Sequence, residues 1–203
     1  MPTTRCPFLA SALALLALAP LHAQEAGGRP QLGAALTFQH PMGDFRSQIL
    51  DSDAGYGLGF RARFTLAPHH GLTARLGYDW FTEGGGNFDA PNYMLKTSIQ
   101  VREQSLGLDY EWRYHGGRGG YLLVGPVFRR WSDRREFTYE QTLPGPVPAS
   151  HVDSTTPSSL GYSLGWGYQT SNQDCMEFRL VDSKYGSTGF RATSLQWSFT
   201  VFW

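Results

Sequence analysis

The chain has 203 residues, with 17 Lys and Arg against 17 Asp and Glu and a formal net charge of zero, and no stretch gathers Lys and Arg without acids. That distribution excludes the basic footprint of a nucleic-acid binder. Aromatics make up 14% and glycines number 24, a composition of strands and turns rather than of helices.

The first element is not part of the fold. Arg5, then FLASALALLALAP, then LHA before Gln24 follow the charged, apolar, small-residue order of a secretory signal peptide. Roughly a dozen apolar residues are too few to cross a bilayer. The expectation is a signal peptide over 1–23, cleaved after Ala23, and one domain over 24–203. Cys6 precedes the apolar core, so a lipidated N-terminus is not expected. Cys175 is then the only cysteine of the mature chain, which leaves no internal disulfide and no Cys-based metal site.

From residue 31 onward apolar residues recur at every second position, as a strand with one polar and one apolar face requires. Eight such segments follow in order: QLGAALTFQ (31–39), GYGLGFRARFTL (55–66), GLTARLGYDWF (71–81), a stretch ending in LGLDYEWRY (106–114), GYLLVGPVFRRW (120–131), SLGYSLGWGYQ (159–169), CMEFRLV (175–181) and SLQWSFTVFW (194–203). The fifth is apolar on both parities, so its register stays open. The others are unambiguous: Leu195, Trp197, Phe199, Val201 and Trp203, for instance, all share one face.

The second face carries charge. Arg61, Arg63, Arg75, Asp79, Asp109, Glu111, Arg113, Glu177 and Arg179 alternate with the apolar positions, interleaved with Gly57, Gly59, Gly77, Gly107, Gly161, Gly165 and Gly167. A soluble sandwich turns such a face to water and fills its core with Val, Ile and Leu. Here the apolar face is instead rich in Tyr, Trp, Phe and Leu, with large aromatics near strand ends, which suits lipid contact. Glycines beside long charged side chains suit a narrow barrel interior. The joins are sorted as well. Those after strands two, four and six (APHHG, HGGRG, TSNQD) are short, whereas those around 40–54, 82–97 and 137–157 are long, and only SKYGST before the last strand departs from the alternation. Outer-membrane barrels pair short periplasmic turns with long outer loops, which predicts an all-β, eight-stranded, antiparallel up-and-down transmembrane barrel with both termini in the periplasm.

The signal, the eight amphipathic strands and the last strand with its terminal aromatic resemble the small outer-membrane β-barrel family that includes the OmpA transmembrane domain, OmpX and OmpW-like proteins. The resemblance spans nearly the whole mature chain. It implies that the last strand, through Leu195, Trp197, Phe199, Val201 and Trp203, is read by the barrel-assembly machinery and closes against the first. The usual terminal residue in the family is Phe, so Trp203 departs mildly from the pattern.

Chemistry is sparse. A hydrolase of the outer-membrane barrel kind would need Ser, His and acid converging from separate segments; the chain offers His40 and His151, the latter crowded with Asp153 and Ser154 into one loop (ASHVDSTT), and His69 and His70 sit in a short turn without acidic companions. No catalytic residue, metal or cofactor is expected, and the reading is that of a non-enzyme. Eight strands enclose a space that side chains fill, so the nine inward charges are expected to form a buried ion-pair network that plugs the lumen. In RRWSDRREF (129–137), Arg129, Arg130, Arg134 and Arg135 are expected at the outer rim, where guanidiniums match the phosphates of lipopolysaccharide. The functional expectation is a monomeric structural or surface-interaction barrel whose partners are outer-membrane lipid and lipopolysaccharide. The alternatives are a narrow OmpW-like transport barrel and, third, an outer-membrane lipid-modifying enzyme.

Overall fold

Alternating sequences become strands only if each finds two neighbours, and the computed structural model, which describes residues 30–115, 118–171 and 173–203, provides them. The expected signal peptide lies outside the described residues. In chain order the strands are β1 (Gln31–Met42), β2 (Gly55–Ala67), β3 (His70–Phe81), β4 (Gly84–Asp89), β5 (Tyr93–Arg113), β6 (Gly119–Gln141), β7 (His151–Thr155), β8 (Ser158–Gln169), β9 (Asp174–Lys184) and β10 (Arg191–Phe202), and one π-helical turn, Phe45–Leu50, follows β1.

Eight of these strands form an antiparallel ring, β1–β2–β3–β5–β6–β8–β9–β10, and β10 pairs back onto β1 from Gly33↔Phe202 to Met42↔Thr193. Register partners traced once around the ring run Ser159, Arg129, Ser105, Gly77, Gly59, Ala35, Thr200 and Cys175, and meet β8 again at Gln169, ten residues from the start. With eight strands and a stagger of ten residues, ordinary rise and strand spacing give a tilt of about 40° and a radius of about 8 Å. Such a cylinder holds side chains and little else.

Polarity is inverted relative to a soluble domain. Arg63, Glu103, Asp109, Glu111, Arg129, Glu177 and Arg179 are all buried, while Leu36, Leu58, Tyr162, Leu164, Leu195 and Trp197 stand exposed on the outer wall. An apolar surface that wraps the whole circumference requires hydrocarbon around it. One register row on this wall is aromatic across six strands: Trp166, Phe178, Trp197, Phe38, Tyr56 and Trp80. Ring centroids are 6.4 Å apart for Trp166 and Phe178, 5.7 Å for Phe178 and Trp197, and 6.0 Å for Tyr56 and Trp80. Because the strands tilt, the row climbs diagonally from the turn end of β8 to the loop end of β3.

Two expected loops are largely strand. Strand four begins at Tyr93, inside the expected loop 82–97, and strand five runs on to Gln141, not to Trp131. β4 and β7 pair with their extensions (Gly84↔Ile99 to Asp89↔Met94, and Asp133↔Thr155 to Phe137↔His151), so a four-stranded sheet, β4–β5–β6–β7, rises beyond the barrel. There the parity changes meaning. Phe88, Leu95, Phe137, Tyr139 and His151 share the parity that points into the lumen lower down, and Lys96, Glu136 and Glu140 take the outer one.

The open register of strand five is settled by its partners: Tyr121, Leu123, Val127, Arg129, Trp131 and Asp133 are buried, and Leu122, Val124 and Arg130 face outward. The β5–β6 ladder skips Leu108, Asp109, Gly125 and Pro126. Pro126 has no N–H to give, and a Cβ on Gly125 would overlap the Leu108 carbonyl oxygen. Gly125→Val is therefore expected to lower barrel stability by about 1–3 kcal/mol, read from urea unfolding followed by heat-modifiable gel migration. Gly86→Ala, where a Cβ meets nothing within 4 Å, should leave the midpoint in place.

Candidate functional site

Among the described residues, the lumen concentrates buried ionisable groups. In its turn-end half, β2 contributes Arg61 and Arg63, β3 Arg75, β5 Asp109, Glu111 and Arg113, and β9 Glu177 and Arg179. Each guanidinium meets a carboxylate. Arg63 Nε donates to Glu111 Oε1 at 3.1 Å, Arg113 Nη2 to Glu111 Oε2 at 3.0 Å, Arg75 Nε to Asp109 Oδ2 at 2.5 Å and Arg179 Nη2 to Glu177 Oε2 at 2.8 Å. Arg61 pairs with Glu177 and Arg179 also with Asp109. Neutral groups complete the shell: Tyr121 Oη accepts from Arg63 at 3.0 Å and donates to Glu177 at 2.8 Å, and Ser163 Oγ donates to Asp109 at 2.6 Å. Arg61 and Arg75 are register partners on one face, an arrangement of like charges that is unfavourable by itself. It is relieved because each turns to a different acid.

A second pair stands nearer the loop end. Arg129 holds Glu103 with two parallel bonds, Nη2 to Oε2 at 2.6 Å and Nε to Oε1 at 2.9 Å, and Trp131 Nε1 donates to the same carboxylate at 3.0 Å. The Arg129 guanidinium also lies 5.0 Å from the Trp131 ring and 5.3 Å from that of Phe45. Between the two groups is a cavity of about 20 Å³ bordered by Thr37, Arg61, Arg75, Asp79, Ser105 and Gln196, room for about one water molecule.

Above Arg129 the interior turns apolar. Phe45, Ile49 and Leu50 of the π-helical turn pack with Phe81, Val101, Trp131, Tyr185 and Ala192 across the barrel mouth. Tyr185 Oη donates to Asp133 Oδ2 at 3.0 Å, and Arg135 bonds the same carboxylate at 3.2 Å. Burial, with the Asp133 charge second, pushes the Tyr185 phenol well above the ordinary tyrosine range.

The nine charges expected inside are all buried. Eight join ion pairs; Asp79 takes part in none among the described residues, and its carboxylate lies over Gly57 instead. Glu111 reaches both Arg63 and Arg113. The rim arginines divide. Arg129 faces the lumen and is fully buried, which corrects its expected contact with lipid phosphate, because β6 turns odd residues inward. Arg135 is drawn to Asp133 at the mouth, whereas Arg130 and Arg134 face outward. Leu195, Trp197, Phe199 and Val201 lie on the lipid face of β10, and the Trp203 N–H bonds the Leu32 carbonyl at 2.8 Å. Ser154 stands on the opposite face of β7 from His151 and Asp153, so these three do not converge. His69 and His70 bond Arg113 O and Tyr110 Oη, and His40 bonds Asp53 O. Sequence reasoning missed Glu103, Tyr121 and Arg102. Tyr121 belongs to the strand whose two parities look alike, and Glu103 and Arg102 sit in QVREQS, where both parities are polar.

A closed sheet with an apolar outer wall and a polar interior defines a transmembrane β-barrel. Residues 9–200 match the family described as outer membrane protein beta-barrel domain; the chain belongs to that family and is an outer-membrane protein. Its fold is similar to the N-terminal β-barrel domain of OprF from Pseudomonas aeruginosa, with a TM-score of 0.55 at 10% identity over 85% of this chain and 97% of that one. It is likewise similar to Ail, the attachment invasion locus protein of Yersinia pestis, solved with the heparin analogue sucrose octasulfate, at 0.53 and 10% over 85% and 96%. No curated protein matches in sequence.

Two expectations follow from the geometry. Glu103→Gln leaves Arg129 uncompensated and should cost about 3–5 kcal/mol, while Glu103→Gln with Arg129→Met should recover most of it; additive losses in urea unfolding would contradict the pairing. Raising the pH works on the mouth. The folded-state pKa of Tyr185 lies above its unfolded value, so its contribution is complete below about pH 10 and is lost as the unfolded phenol ionises. The unfolding midpoint of wild type should fall more between pH 9 and about 11 than that of Tyr185→Phe.

Proposed function

We propose that this barrel is a structural and surface-interaction protein of the outer membrane, with a closed lumen and its contacts made by the sheet that rises beyond the mouth. The observation that carries the reading is the layered filling of the interior. Eight buried charged groups are tied together across four strands in one half, the Arg129–Glu103 pair stands in the middle, and the apolar turn Phe45–Leu50 occupies the mouth. Moving an ion through this stack would mean separating buried guanidinium–carboxylate pairs, each of which leaves an uncompensated charge in a low-dielectric interior.

The protruding sheet supports the second half of the proposal. Its outer face is charged, with Lys96 Nζ 2.6 Å from Glu140 and Arg134 3.9 Å from Glu136. Its other face carries Tyr93, Phe137, Tyr139 and His151, with the Phe137 and His151 rings 4.8 Å apart and those of Tyr93 and Tyr139 5.4 Å apart. The same reading includes export through the N-terminal segment 1–23, recognition of Leu195, Trp197, Phe199, Val201 and Trp203 by the assembly machinery, and a monomer as the working unit.

The test is electrical. The purified barrel in planar bilayers should show no conductance steps at molar potassium chloride, and Glu103→Gln with Arg129→Met should remain silent because the turn-end cluster is still paired. Steady unitary steps from the wild type would overturn the closed lumen and support a narrow transport barrel instead.

A further inference from the structure

Three register rows cross β3, β5 and β6 near their loop ends on the lipid-facing parity, the first two continuing onto β8. The first is Leu76, Leu106, Phe128 and Leu160; two residues further along each strand come Tyr78, Gln104, Arg130 and Ser158; then come Trp80, Arg102 and Ser132. The wall thus passes from wholly apolar to cationic over a few ångströms, with Trp80 directly beside Arg102. Interfacial aromatics of this kind mark the level of the headgroups.

At that level the surface is concave. Arg102, Gln104, Arg130, Ser132 and Thr156, with Tyr78, border a groove of about 230 Å³, and no carboxylate is among the residues around it. Both arginines are exposed. Arg130 also interacts within the protein, and a guanidinium carries five N–H donors. Arg134, higher on the same strand, faces Glu136 at 3.9 Å and lies outside the groove.

We propose that this groove binds the phosphate of a phosphorylated glycolipid of the outer leaflet, with Arg102 and Arg130 as its phosphate ligands and the row from Leu76 to Leu160 against its acyl chains. The guanidinium fork matches phosphate oxygens with paired, charge-assisted bonds. The apolar row decides between a lipid and a free anion. A soluble phosphate gains nothing from Leu106 and Phe128, whereas an amphiphile whose charged group sits at the edge of the hydrocarbon covers both surfaces at once. A protein partner is disfavoured by direction, since the groove opens on the parity that faces the bilayer and not on the aromatic face of the protruding sheet. The inference is independent of whether the lumen conducts.

The full-length barrel in phosphatidylcholine nanodiscs doped with bis-phosphorylated lipid A provides the test, with bound lipid counted by native mass spectrometry. Arg102→Gln with Arg130→Gln should retain at least ~10-fold less of that lipid than wild type, and Arg134→Gln should retain as much as wild type. Dephosphorylated lipid A should be held equally by all three, and millimolar inorganic phosphate should displace nothing. The substituted side chains are on the surface, and heat-modifiable migration checks that each variant is folded. Equal retention of the phosphorylated lipid by the double variant would overturn the site. Displacement by inorganic phosphate would overturn its assignment to a lipid, and parallel loss of the dephosphorylated lipid would overturn the role given to phosphate.

Discussion

In hydrocarbon a backbone N–H or C=O has no water to turn to, so a sheet in a membrane must have no edge. The pairing of β10 with β1 meets that demand, and most of the remaining structure follows from it. Closing eight strands with a stagger of ten residues fixes a radius of about 8 Å, and a cylinder that narrow must be filled by its own side chains. Filling it explains the inner composition. Gly57, Gly77, Gly107 and Gly165 are backbone that makes room, and Asp79, Ser105, Arg75 and Arg179 from adjacent strands use the room. Asp79 folded over Gly57 and the Arg75 guanidinium packed on Gly107 are the same solution seen twice. Charge enters because long side chains reach the centre, and once there it has to be paired where it stands.

The parity change along β5 and β6 shows what solvent does to one continuous sheet. Over Tyr121 to Arg129 the outward residues are apolar throughout (Leu122, Val124, Pro126 and Phe128), whereas the inward ones mix Tyr121, Leu123, Gly125 and Val127 with the charge of Arg129. Over Arg135 to Tyr139 the same inward parity carries Phe137 and Tyr139, and the outward one carries Glu136 and Thr138. Nothing in the backbone changes, because the register is constant on both sides of the Gly125–Pro126 gap. What changes is the medium outside. Hydrocarbon around the barrel absorbs the apolar face and forces polarity inward, and water around the protruding sheet reverses the assignment. Arg102 and Arg130 lie on the outward parity where one regime gives way to the other.

The barrel was legible in the sequence wherever one parity was clearly apolar and the other clearly polar, as in GYGLGFRARFTL and SLQWSFTVFW, and the inward charges could be read there for the same reason. Legibility failed where both parities were alike. GYLLVGPVFRRW is apolar on both, so the direction of Arg129 depended on β5 and β8, which the strand itself does not encode. QVREQS is polar on both, which hid Glu103, the partner Arg129 requires. The turn Phe45–Leu50 carries apolar residues without a period of two, and its role emerges only when Phe81, Trp131 and Tyr185 surround it.

Two interiors of opposite character, a charged one below and an apolar one above, have to meet somewhere without leaving a polar group stranded, and Arg129 is where they do. Its guanidinium edge gives two bonds to Glu103 and a third, 2.5 Å, to the Ala192 carbonyl, so the donors are spent in the plane. A guanidinium makes no hydrogen bonds perpendicular to its plane and is weakly hydrated, and this one lies over the rings of Trp131 and Phe45, the floor of the apolar mouth. Lysine in its place would offer a round, strongly hydrated charge with no face to present. The junction therefore depends on a planar cation, and the mouth can be sealed with aromatic side chains directly above a charge because that charge directs its donors sideways.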